Sequence, residues 1–201
     1  MKTMKKNLWM MAAMFCLTSV LTSCYMDDDD RIGNYVSGHW FGDMDMRYIV
    51  EGYEIPARGS EIQFTPTGWG YSKGYGWEVD YYDNFTIGNR YYNGFTVEHR
   101  FDWEVRNQII YMTFDDPALD CAIVNYRLST YRFTGWIADS YSLQNMTSFN
   151  LRNYDYYWND YGYGDYIPVK GEKDVDGNDS IATQEGKWIR GVNRNKMKDE
   201  R

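Results

Sequence analysis

The sequence predicts an all-β domain, an antiparallel sandwich or barrel of about eight short strands. Three observations carry this. Tyr, Trp, Phe, Val and Thr dominate after residue 35, and aromatic residues make up 18% of the chain, a composition suited to pleated, half-buried surfaces. Two long stretches alternate in hydrophobicity with a period of two, as a strand does when one face is buried and the other wet. Turn signals recur at close spacing, with no long helical pattern between them.

The clearest strand is FTVEHRFDWEVR, residues 95–106. Phe95, Val97, His99, Phe101, Trp103 and Val105 share one face, and the intervening positions are polar. A second alternation sets Trp69, Tyr71, Tyr75, Trp77, Val79 and Tyr81 against Ser72, Gly74, Gly76, Glu78 and Asp80, with Lys73 the exception on the aromatic side. That aromatic side is expected to face the interior. Further strands are expected at 39–50, 61–65, 108–114, 121–128, 133–138 and 147–152. They are separated by turns at Pro66-Thr67-Gly68, Asn93-Gly94, Arg106-Asn107 and Asp115-Asp116-Pro117.

The chain opens with Lys2, Lys5 and Lys6 before an apolar run from Leu8 to Leu21. The run is shorter than the ~20 residues a membrane span needs, and the order of charge, apolar core and small residues is that of a secretory signal peptide. Leu21-Thr22-Ser23-Cys24 resembles the bacterial lipobox, which makes Cys24 the lipidated first residue of the mature chain, anchored by acyl chains worth about 0.8 kcal/mol per buried methylene. Asp27 to Asp30 follow. They are expected to form a solvated acidic tether over residues 24–35, and resemble the surface-export signal of Bacteroidota lipoproteins.

Residues 1–23 carry three lysines and no acid, so their removal takes the net charge from −8 to −11. A chain this acidic is repelled by nucleic acid, which is excluded as a partner. Cys16 leaves with the signal peptide and Cys24 is acylated, so Cys121 has no intrachain partner.

Ser37-Gly38-His39-Trp40 opens the first strand with G-x-W, and I-x-F-T-P-x-G (62–68), F-x-W (101–103) and S-F-x-L-R (148–152) follow in order. Together these resemble the small lipocalin-like lipoproteins of Bacteroidota over residues 36–153. The resemblance implies an antiparallel up-and-down barrel of about eight strands, lipocalin-like. It implies further that Gly38 lets the chain approach closely, that Trp40 closes the barrel floor, and that Arg152 covers its indole in a contact worth roughly 0.5–2 kcal/mol.

Beyond residue 153 the pattern changes. Residues 154–166 are rich in Tyr, Gly and Asp, broad contact surface with polar tips. Residues 170–201 are charged, poor in apolar side chains, and expected to be largely disordered. Within them Asp174, Asp176, Asn178 and Glu185 fall at the ligand positions of a calcium loop. Asp179 stands where the loop needs glycine, so the stretch reads as acidic tail and neither metal nor cofactor is expected.

No nucleophile–base spacing stands out, and no enzymatic activity is expected. His39, beside Trp40, is expected at the surface. Two readings of function remain open. In the first, an outer-membrane, cell-surface lipoprotein holds a small apolar or amphipathic ligand in its barrel, contacted by His99, Phe101, Trp103, Trp77 and Tyr75. In the second, the barrel is solid and surface tyrosines bind a glycan or a protein partner. The discriminator is the interior, because eight strands leave room either for side chains or for one small ligand.

Overall fold

The computed structural model describes residues 27–68, 70–154 and 186–193. Eight antiparallel strands close a barrel: β1 (Gly38–Asp43), β4 (Gly59–Pro66), β5 (Lys73–Tyr82), β8 (Phe95–Arg106), β9 (Ile109–Phe114), β10 (Cys121–Leu128), β11 (Arg132–Asp139) and β12 (Thr147–Asn153). Each pairs with the next in chain order, and β12 returns to β1 with Trp40 opposite Asn153. The up-and-down barrel is therefore the observed fold, and every one of its strands has a neighbour on both sides. The chain leaves the barrel twice. β2 (Met46–Val50) and β3 (Tyr53–Pro56) lie between β1 and β4, so the run 39–50 is two strands rather than one; β6 (Phe85–Ile87) and β7 (Arg90–Tyr92) lie between β5 and β8. Asn107 and Gln108 take φ of 52° and 62° in the two-residue β8–β9 hairpin, which asparagine tolerates in the left-handed region.

β8 buries the face its sequence predicts, with Phe101, Trp103 and Val105 all under 5% exposed. β5 does the reverse: Gly76, Glu78 and Asp80 point inward and Tyr75 and Trp77 outward. Register supplies the reason. Gly74 lies opposite Trp103 and Gly76 opposite Phe101, and a Cβ on Gly76 would enter the Phe101 ring. Two adjacent strands with large rings inward at facing positions would overfill the barrel, which costs ~1–3 kcal/mol per overpacked site.

One end of the barrel is closed by α1 (Asp28–Val36). The acidic run is thus the first turn of a docked helix, not a tether. Acidic side chains suit a helix N-terminus, and two of these also find donors. Asp29 accepts from the backbone N–H of Asn107 and Gln108 at 2.9 and 2.8 Å, and Asp30 from those of Tyr71 and Ser72 at 3.0 and 2.9 Å. Trp40, 1% exposed, donates from Nε1 to the Val36 carbonyl at 2.8 Å and meets Phe133 edge-on. Gly38 takes φ of 135°, with open space where a Cβ would stand; its role is backbone conformation, not the close approach expected of it. Arg152 lies opposite Phe41 and is exposed, on the face away from Trp40. The cover over the indole comes from α1 and Phe133, and the expected role of Arg152 does not hold.

The other end is closed by chain expected to be disordered. β13 (Lys187–Arg190) pairs with β2, so β13, β2 and β3 form a small sheet over the mouth. Met44, Met46, Leu119 and Val192 join the barrel core there. A second cluster of Tyr48, Val50, Tyr82, Ile87, Tyr92 and Phe95 ties this sheet to the β6–β7 hairpin.

Candidate functional site

The five residues expected to contact a ligand divide into two groups. Phe101 and Trp103 are core: both meet Phe64 edge-on, at 5.4 and 5.7 Å, and the Trp103 indole donates to the Tyr75 carbonyl at 3.1 Å. His99 points inward nearer the mouth, its Nε2 3.7 Å from Asp80 Oδ2 and its ring 5.8 Å from that of Trp188. Burial holds its pKa below the ordinary imidazole value, against the pull of the Glu78 charge. Tyr75 and Trp77 are on the outer wall.

Sequence reasoning missed the polar group inside the mouth. Arg190 and Glu78 are both fully buried, with Nη2 to Oε2 at 2.7 Å, and the guanidinium also donates to the carbonyls of Met44 and Leu119 at 2.8 and 3.3 Å. Ser60 donates to Asp80 at 2.5 Å. Burial, then the neighbouring Glu78 charge, pushes the Asp80 carboxyl well above its usual range. The signal was present in Trp188-Ile189-Arg190, an apolar pair inside a charged tail, too short for a periodic pattern to register.

Outside, β1, β4, β5 and β8 bring a row of side chains together by register: His39 opposite Gln63, Gln63 opposite Trp77, Trp77 opposite Arg100. With strands ~4.8 Å apart the row is about 14 Å wide. His39 stacks on Tyr154 at 4.2 Å and meets Trp77 edge-on at 5.2 Å. Its Nε2 lies 2.7 Å from Glu61, which also accepts from the Tyr81 hydroxyl. Tyr75, 53% exposed, stands one pleat further along, opposite Asp102. The wall thus offers ring faces held by neighbours, bordered by an amide, a guanidinium and a carboxylate. His39 is on this outer wall, as its alternation with Trp40 predicts.

Among the described residues no group of three or more metal-ligating side chains converges. The Cys121 thiol is fully buried, which pushes its pKa up to about 11. Cys24, the tyrosine run after residue 154, and Asp174, Asp176, Asn178 and Glu185 lie outside the described residues. Compared with models of known protein families and with curated proteins, the chain matches none.

Proposed function

We propose that the protein is a lipid-anchored, surface-exposed binding module with a solid lipocalin-like barrel, and that it holds a glycan on its outer aromatic wall. The observation that carries this reading is the division of the aromatics. Rings from β1, β4, β8, β11 and β12 pack with one another in the barrel core, where Trp40, Phe64, Phe101, Trp103, Phe133 and Phe149 are each under 5% exposed. Both ends of the barrel are covered. Trp77 and Tyr75 are on the outside, where ring faces beside Gln63, Arg100 and Asp102 suit a sugar that stacks its apolar face and hydrogen-bonds its hydroxyls. This favours the glycan reading over a small apolar ligand inside the barrel.

The anchor suits this role. Four residues of chain lead from Cys24 to Asp28, a reach of at most about 14 Å. Acylation of Cys24 at the outer membrane would hold the α1 end of the barrel towards the bilayer and leave the side wall free.

The test is calorimetric titration with a panel of neutral and acidic oligosaccharides, on wild type, Trp77→Ala and Tyr75→Ala. Binding that falls at least tenfold in the Trp77 variant, with unchanged thermal stability, is the expected result. Native mass spectrometry of protein from its own host is the counter-test: a co-purified lipid released only on unfolding overturns the solid-barrel reading.

A further inference from the structure

The barrel has a seam. β10 pairs with β9 only over Cys121, Ala122 and Ile123, opposite Met112, Tyr111 and Ile110. β9 begins at Ile109, which falls opposite Val124 by register, whereas β10 continues to Leu128, so from Asn125 onward β10 outruns its neighbour, and no described strand pairs with it on that side. On the other side its pairing with β11 slips between Val124 and Arg127, and Asn125 takes φ of 49°. This is a bulge, a device that ends regular pairing and re-aims side chains. It turns Tyr126 inward to meet Phe133 edge-on at 5.8 Å.

A groove of about 530 Å³ runs beside this overhang. Its aliphatic wall is built from Ile32, Val124, Leu143 and Met146, the last 48% exposed. Its polar groups are the carboxamides of Asn107, Gln108 and Asn125 and the hydroxyl of Tyr126, which has no hydrogen-bond partner among the described residues. No ionised side chain lines it, although the protein carries a net charge of −8. The outer wall with Trp77 offers flat ring faces; this groove offers aliphatic side chains, amides and a strand edge.

We propose that the seam is a docking site for an extended, uncharged peptide segment of a partner protein, which adds a strand to the overhanging edge of β10. Main-chain hydrogen bonds to Asn125–Leu128 would supply affinity, as in other strand-addition complexes. Aliphatic side chains at alternate positions of the peptide would meet the wall of Val124, Leu143 and Met146, and the carboxamides would bond its remaining amides. A charged side chain pointing into the groove would lose water; an acidic one would also be repelled by Asp29, the carboxylate behind the groove, which is already bonded to the N–H groups of Asn107 and Gln108. The proposal does not depend on the glycan reading, since the two surfaces share no residue.

The experiment uses the full-length protein and a library of hexapeptides with Val, Leu, Ile or Met at alternate positions and Ser or Thr between them. Amide hydrogen exchange is followed by NMR. The expected result is binding that slows exchange at amides within Asn125–Leu128 at least tenfold. Met146→Glu should weaken the best peptide at least tenfold, as should N-methylation of alternate peptide amides. Absence of any binder at millimolar peptide overturns the proposal. So does equal binding of the N-methylated peptide, or a neutral oligosaccharide that protects the same amides when no peptide does. Met146→Glu must keep the wild-type Tm; if it does not, Met146→Gln with the N-methylated peptide gives the same decision without the added charge.

Discussion

Replacing Arg190 with methionine removes one half of an ion pair that is wholly buried. The Glu78 carboxylate is then left without its cation where water does not reach. Breaking a buried pair in this way costs about 3–5 kcal/mol. The carbonyls of Met44 and Leu119 also lose a donor, at roughly 1 kcal/mol each. A loss of about 5–7 kcal/mol is a large share of the 5–15 kcal/mol a domain commonly has. At an m-value of about 2 kcal/mol/M it moves the urea midpoint by about 3 M, read by tryptophan fluorescence. The double variant Glu78→Gln/Arg190→Met should recover part of the loss, because removing both charges is far cheaper than stranding one. A chain ending at residue 185 should lose at least as much as Arg190→Met, since it also loses the β13–β2 pairing and Val192. A midpoint shift under ~0.5 M in the single variant, or a double variant no more stable than the single, would refute the claim that residues 186–193 close the barrel.

Trp40→Ala should cost roughly 3–5 kcal/mol, the usual figure for a buried aromatic, while Arg152→Ala should stay within about 0.5 kcal/mol; in denaturant titrations the two effects should add, because the side chains lie on opposite faces of the sheet. His99 is held neutral by burial, so its contribution to stability is full above its unfolded pKa of about 6.5 and is lost as pH falls through its lower folded value; a His99→Gln variant whose stability declines below pH 6.5 as steeply as wild type would contradict this. Ser72 and its neighbouring amides hold the Asp30 carboxyl below its ordinary pKa, so the Asp30 contribution is present above about pH 3.9 and disappears as pH falls through the lower folded value; Asp30→Asn should flatten the acid limb of the stability curve there. Cys24→Ala should leave the protein out of the membrane fraction, and radiolabelled palmitate still entering that variant would overturn the lipidation proposal.

Strands were legible wherever one face is buried and the next strand does not compete for the same space. The bounds of β8 follow from alternation alone, because its inward side chains Phe101 and Trp103 meet glycines across β5. For β5 the alternation was legible but its sign was not. A period of two says that faces differ; it does not say which is inside. The decision lies in the neighbour: Phe101 and Trp103 occupy the space, and Gly76 and Gly74 yield it. Pairing β5 with β8 in the sequence would have shown two aromatic faces in competition, and the glycines as the answer. The aromatic wall of Tyr75 and Trp77 is a consequence of that packing.

Both ends of the barrel are closed by the segments whose composition argued most strongly against order. Composition measures how much apolar surface a segment can bury, but here the polar groups themselves are matched. Asp29 and Asp30 do not need a core. They need backbone N–H groups left unpaired by hairpin turns, and the β8–β9 turn and the turn before β5 supply four. Arg190 does not need solvent, because Glu78 faces it from a strand more than a hundred residues away. That carboxylate points inward only because β5 turned its aromatics out. The inverted face of β5 thus accounts for both the outer wall and the buried anchor of the C-terminal strand. The Arg190→Met titration therefore bears on the β5 assignment as well as on the plug.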